Sequence, residues 1–146
     1  MSATSELMLE LTRTLPAERA AVWRAMTDAS ELARWWGPKG FTAPEVEFEP
    51  GVGESYRITM QPPEGDPFRL FGEFREVDPP RRLSYTFVYD PPDPDDRETV
   101  VMLALEERGE QTEVVFSQGR FATQERLELH RGGWSDSFDR LQDLLG

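Results

Sequence analysis

Residues 122–146 hold the longest stretch of a single periodicity in the chain, and a segment of that length has to find a surface to cover. Apolar side chains recur at Leu127, Trp134, Phe138, Leu141 and Leu145, in steps of three, four or seven. That spacing puts them on one face and predicts one long amphipathic helix. Thr123 is the expected N-cap, and Glu125 suits the positive end of the helix dipole. Glu125, Arg126, Glu128, Arg131, Asp136, Asp139 and Gln142 are expected on the water side. His130, the only histidine, falls inside the apolar stripe between Leu127 and Trp134. Gly132 and Gly133 follow, and each costs a helix about 1 kcal/mol relative to Ala. A glycine pair beside a tryptophan predicts a kink, or the close approach of another backbone or of a bound molecule. A helix with an apolar face, an inward histidine and a weakened middle could lid a cavity.

A lid needs a body beneath it, and 146 residues are enough for one domain with a real core, spanning 1–146. No apolar run approaches the roughly 18 residues of a membrane span, and the N-terminus lacks a basic-then-apolar signal pattern. A soluble, cytoplasmic protein with no membrane insertion is expected. The absence of cysteine excludes disulfides, thiol catalysis and cysteine metal sites. A net charge of −12, from 28 acidic and 16 basic side chains, opposes nucleic-acid phosphates and anionic membranes, so no nucleic-acid partner is expected. The arginines are scattered apart from Arg81–Arg82, and the charge argues mainly for solubility. Nine Phe, four Trp and three Tyr in so polar a chain must be concentrated inside.

Ahead of the helix the pattern is that of strands. Residues 6–14 alternate, with Leu7, Leu9 and Leu11 set against Met8, Glu10 and Thr12. Pro16 suits the first turn of a helix whose apolar side is Val22, Trp23 and Met26. Asp28, with Glu31 three residues on, resembles a capping box for a second short helix carrying Leu32, Trp35 and Trp36, stopped by Gly37–Pro38. Period-two segments follow around Val46–Phe48, Tyr56–Met60, 68–77, Leu83–Tyr89, Thr99–Leu105 and Thr112–Phe116, with Gly72 at a bulge or bend. Turn-length connections imply an antiparallel sheet with helices on one side, an α+β fold. Such a sheet curls with its own twist, and only the terminal helix is long enough to cover its apolar face.

In that order, the chain resembles the Hsp90-ATPase-activator-like branch of the START/Bet v 1-like (SRPBCC) superfamily. The residues that carry the resemblance are Pro16-Ala17-Glu18-Arg19 leading to Val22-Trp23, then Trp35-Trp36-Gly37-Pro38. Asp78-Pro79-Pro80-Arg81-Arg82-Leu83-Ser84-Tyr85-Thr86-Phe87 follows, then His130-Arg131-Gly132-Gly133-Trp134 with Phe138, Leu141 and Leu145. The resemblance implies a helix-grip fold: a curved antiparallel sheet wrapped around the long C-terminal helix, with two short helices after the first strand. It also implies a hydrophobic cavity between sheet and helix, used in related branches for lipids, sterols, polyketides or hormones. The cochaperone that names the branch has an additional N-terminal domain that docks on the chaperone. Nothing here corresponds to it, so an Hsp90 interaction is not expected. A homodimer is compatible with this fold class, and no sequence feature decides it.

On this frame the expected ligand is a mostly apolar small molecule, held by burial and oriented at a polar end by His130 and Tyr85. Leu83, Phe87, Val101, Leu103, Val114, Phe116, Leu127, Trp134 and Phe138 are the expected lining, with Tyr56 and Trp36 beside them. Each has a plainer reading as core. Arg57 and Arg69 alternate outward as surface charges. The loop 90–96 lacks the spacing and glycine of a calcium site, and three prolines stiffen it, so it reads as solvated. Gly51-Val52-Gly53 has no following helix to cradle a phosphate. One histidine supports neither a zinc site nor a Ser-His-Asp triad, and no cofactor, metal or catalytic residue is assigned. Two other readings stay open: a cyclase- or isomerase-type enzyme with His130 as acid or base, and a chaperone-associated interaction module marked by an exposed apolar patch.

Overall fold

The structure, a computed structural model, describes residues 7–146, so Glu6 of the expected first strand lies outside the described residues. The elements run β1 (Leu9–Leu15), α1 (Arg19–Thr27), α2 (Ala29–Leu32), β2 (Thr42–Glu47), β3 (Ser55–Gln61), β4 (Phe68–Asp78), β5 (Arg82–Asp90), β6 (Thr99–Arg108), β7 (Gln111–Gly119) and α3 (Gln124–Leu145). The strands form one antiparallel sheet in the order β1-β7-β6-β5-β4-β3-β2. This is the helix-grip architecture expected from the sequence: a curved sheet, one long helix and two short ones after the first strand. No helix among the described residues is long and apolar enough to cross a membrane.

Alternation decides which face of each strand is buried. Leu9 and Leu15 of β1, Ile58 of β3, Leu83 and Tyr85 of β5, Val101 of β6 and Val114 and Phe116 of β7 all point inward. Helix α3 lies on that face with Leu127, His130, Trp134, Phe138 and Leu141 buried beneath it. Thr123 caps it as expected, accepting from the Arg126 N–H, and Asp28 caps α2 by accepting from the Glu31 N–H at 3.1 Å. Trp35 and Trp36 lie just past α2 rather than on it. The Trp35 indole donates to the Ala25 carbonyl at 2.8 Å, which folds the chain back before the helix can continue.

The β4–β5 register shifts between Phe74 and Glu76, and just before that irregularity the two strands run close together at Gly72. A Cβ there would sit 1.9 Å from the Thr86 carbonyl oxygen and 2.8 Å from the Tyr56 ring, so only glycine lets β4 and β5 close up. The polar groups around Gly72 are satisfied locally. Tyr56 donates to the Thr86 carbonyl at 2.7 Å, and the Glu73 N–H donates to the Thr86 hydroxyl at 2.8 Å. The Gly132–Gly133 pair does not interrupt α3, which continues through both residues. A Cβ on Gly132 would meet nothing within 4 Å, and one on Gly133 would meet Pro38 at 3.5 Å. These spaces set opposite signs for two glycine-to-alanine changes. Gly132→Ala is expected to stabilise by about 0.5–1 kcal/mol through helix propensity. Gly72→Ala is expected to cost about 1–3 kcal/mol or more through overlap with backbone. Urea unfolding of the two variants measures both.

Candidate functional site

The helix covers the two halves of the sheet unequally. Over β6, β7 and β1 the interface is solid: Phe116 lies 4.5 Å from Trp134 and 5.7 Å from Phe138, ring centre to ring centre. A buried polar chain runs through it. Trp134 Nε1 donates to Gln118 Oε1 at 2.8 Å, and Gln118 Nε2 donates to the Thr99 hydroxyl at 2.9 Å. Over β3, β4 and β5 the same helix stands off, leaving a pocket of about 380 Å³. Met60, Phe68, Leu70, Phe87 and Tyr89 form its floor, and Arg126, Leu129, His130, Gly133, Trp134 and Ser137 line it from α3. Gly133 contributes space because it contributes no side chain.

Two loops complete the walls, and α3 holds both. In residues 36–41, Gly37 has φ +107, a conformation that favours glycine, and a Cβ there would displace the Met60 methyl, 2.5 Å away. The Gly37 N–H donates to Ser137 Oγ at 2.9 Å, and the Ser137 hydroxyl donates to the Gly133 carbonyl at 3.0 Å. Arg140 Nη1 points into the carbonyls of Trp36, Gly37, Pro38 and Phe41 at 3.0–3.4 Å. The opposite loop supplies Pro91, Asp93 and Asp96. Arg126 Nη2 bonds Asp96 Oδ1, and Nη1 lies 3.6 Å from Asp93 Oδ2. The Arg126 and Asp96 side chains are only 15% and 7% exposed. This corrects one expectation, since Arg126 is not on the water side; residues 90–95 are exposed as expected, and only Asp96 of that loop is drawn in. One arginine charge and one aspartate charge are buried together because each makes the other's burial tolerable.

Beside that pair sits His130, 6% exposed, packed between Phe121 at 4.8 Å, Tyr89 at 5.5 Å and Phe87 at 5.9 Å. Its Nδ1 is 2.8 Å from the Arg126 carbonyl oxygen, and its Nε2 is 2.6 Å from the Tyr89 hydroxyl. A carbonyl only accepts, so Nδ1 carries the proton; neutral Nε2 then accepts from Tyr89. Burial lowers the pKa of His130, with the Arg126 charge acting in the same direction and the Nδ1 bond and Asp96 opposing. Burial also raises the phenol pKa of Tyr56, Tyr85 and Tyr89, so all three stay protonated at neutral pH.

Of the residues proposed from sequence, Trp36, Phe87, His130 and Trp134 lie on the pocket wall. Leu83, Val101, Leu103, Val114, Phe116, Leu127 and Phe138 lie in the packed core. Tyr56 and Tyr85 belong to a separate aromatic cluster with Phe48 and Phe74, their ring centres 5.1 Å apart. Tyr89, two pleats beyond Tyr85 on the same inward face, is the one that meets His130. Nothing in the alternation ranks one tyrosine above the other. Gln118 continues the inward alternation of Thr112, Val114 and Phe116, and that period is the signal by which it could have been found.

The sign of the pH dependence follows from the lowered His130 pKa. The unfolded chain takes up a proton as pH falls through the ordinary value of 6.5, while the folded chain, at first, does not. Stability therefore declines below that pH and levels off once the folded imidazole titrates as well. The titratable groups facing His130 are Tyr89, Arg126 and Asp96. A His130→Leu variant is expected to lose this component, seen as a flatter thermal midpoint between about pH 7.5 and 5.

Comparison with known proteins places this geometry. No curated protein matches the sequence. Among solved structures, a Chromobacterium violaceum protein is 24% identical over 95% of this chain and 96% of its own, with a TM-score of 0.84, a likeness of fold. The AHSA1 protein of Silicibacter pomeroyi is 25% identical, covering 94% of this chain and 96% of its own, with a TM-score of 0.83. A Rhodobacter sphaeroides protein is 27% identical over 95% and 92%, with a TM-score of 0.81. The model of the family "Activator of Hsp90 ATPase homolog 1-like protein" matches residues 16–146, and the chain belongs to that family.

Proposed function

We propose that this chain is a cytoplasmic, single-domain carrier that holds a mostly apolar small molecule between α3 and the β3–β5 half of the sheet. One observation supports this above the rest. A chain with aromatic side chains enough to fill its core leaves about 380 Å³ open on one side of the helix, walled by Trp36, Phe68, Phe87 and Trp134. That volume falls within the usual range for small-molecule sites, which are apolar with a few convergent polar groups. Here the polar groups gather in one corner, at Tyr89, His130, Arg126 and Asp96. Apolar burial would supply affinity, and the corner would orient the ligand. Leu129, 58% exposed at the rim, presents an apolar contact to an entering molecule.

The acid–base enzyme reading is weaker on the same geometry. A catalytic imidazole wants a carboxylate to orient it and to stabilise its charged form. Both nitrogens of His130 are engaged by a neutral hydroxyl and a backbone carbonyl, and Asp96 is bonded to Arg126 instead.

Titration with the uncharged fluorescent probe N-phenyl-naphthylamine tests the carrier reading. At about 0.3 kcal/mol per non-hydrogen atom, a probe of about 17 such atoms is expected to bind with Kd of roughly 200 μM. Gly133→Phe, which sets a ring in the pocket, is expected to weaken binding at least about tenfold, while Gly132→Ala leaves it unchanged. Absence of saturable binding, or binding indifferent to Gly133→Phe in a folded variant, overturns the proposal.

A further inference from the structure

The carrier reading leaves open what polar end the ligand carries, and the hydrogen-bond polarity of the corner addresses it. We infer that the pocket selects a ligand whose polar end is an uncharged hydrogen-bond donor, a hydroxyl above all, and that it discriminates against carboxylates and against groups that only accept. The inference rests on the carrier reading and narrows it.

Hydrogen-bond polarity is set from the Arg126 carbonyl outward. That carbonyl holds the proton on His130 Nδ1, which leaves Nε2 as an acceptor, which in turn engages the Tyr89 proton. Tyr89 lies on the pocket wall with its proton turned toward the imidazole, so the oxygen presents a lone pair. The other polar groups of this corner are engaged or of the same polarity, and the one unpartnered side-chain donor outside it among the described lining residues, the Trp36 indole N–H, belongs to the loop across the pocket. Ser137 accepts from Gly37 and donates to Gly133. The terminal nitrogens of Arg126 face Asp96 and Asp93, and its Nε, though unpartnered, is too enclosed for a water-sized group to reach. The carboxylates of Asp93 and Asp96 are acceptors, and with Arg126 they leave the corner one negative charge in excess.

A hydroxyl satisfies such a corner by donating to the Tyr89 oxygen. An ether there would set one acceptor against another, leaving both without a partner, and a carboxylate would add charge repulsion to that loss. Burial sharpens the discrimination, because a site built to pair with a polar group rejects the analogue lacking it far more strongly than it rejects a change in apolar size.

The test uses three ligands with one apolar body: naphthylethanol, its methyl ether and naphthylacetate, each competed against N-phenyl-naphthylamine on the full chain. The alcohol is expected to bind about tenfold or more tighter than either of the others. In His130→Leu the Tyr89 hydroxyl is released and can donate into the pocket, so the alcohol-to-ether ratio is expected to fall to within about twofold. Because His130 is the only histidine, heteronuclear NMR of the labelled imidazole reads its tautomer without assignment, and the Nδ1-protonated form is expected in the wild-type chain. An Nε2-protonated neutral imidazole, a wild-type preference for ether or carboxylate, or a ratio unmoved in folded His130→Leu would each overturn the donor rule while leaving the carrier reading standing. Failure of the probe and of all three ligands to bind would overturn both.

Discussion

Everything about the pocket depends on one helix holding two loops at a fixed distance from a curved sheet. Arg126 and Arg140 are fourteen residues apart on α3, close to four full turns, so both project from the same side about 21 Å from each other. One reaches the Asp93–Asp96 segment and the other the carbonyls of residues 36–41. His130, Gly133 and Ser137 fall between them at steps of three and four, forming a stripe one position round from the stripe that packs the core. The helix therefore has two working faces at a shallow angle. One drives folding by burying Leu127, Trp134, Phe138 and Leu141, and the other organises space.

The asymmetry between a solid half and an open half has a steric origin. Over β7 the gap is filled by Phe116 meeting Trp134 and Phe138, three rings in mutual contact. Toward β3–β5, side chains are missing where they would close the gap, at Gly37 and Gly133. The loop that could fold down is held by Ser137 and Arg140 instead. A guanidinium whose Nη1 faces four carbonyl oxygens while Nη2 donates to a fifth, that of Arg34, is a strong tether, since bonds to charged donors exceed neutral ones. The buried Arg126–Asp96 pair is better read as a positioning device than as a source of stability. Desolvation offsets much of its attraction, while a misplaced loop would leave either charge buried alone.

The fold was legible in the sequence because each element announces itself locally. Alternation marks the strands, the Asp28–Glu31 and Thr123 caps mark helix starts, and the stripe from Leu127 to Leu145 marks the helix that covers the sheet. The site was legible only in part. His130 stood out by falling in an apolar stripe, and Trp36, Phe87 and Trp134 by size and register. Tyr89 was indistinguishable from Tyr85, because period two says which face a residue occupies and not where along the strand the helix passes overhead. Arg126 read as a surface charge and Asp96 as part of a solvated loop, and nothing singled out Arg140, because charged residues are rarely buried unless paired. Their partners lie far away along the chain, in one case about a hundred residues off. Pairing of that kind is a property of the assembled fold and leaves no local trace.

The corner at His130 also bears on how so acidic a chain could host an apolar ligand. The net charge of −12 belongs to side chains that are mostly in water, where it is screened beyond about 8 Å at physiological ionic strength. Inside the pocket the dielectric is lower, and an unbalanced charge would dominate any hydrogen bond. Arg126 is matched by Asp96, burial keeps His130 neutral, and the phenol of Tyr89 stays protonated. With the excess negative charge on Asp93, 72% exposed and largely in water, what distinguishes one uncharged end of a ligand from another is the direction in which a proton points. A single backbone carbonyl, that of Arg126, sets that direction through the imidazole, and so the helix that covers the sheet also fixes the polarity of the space beneath it.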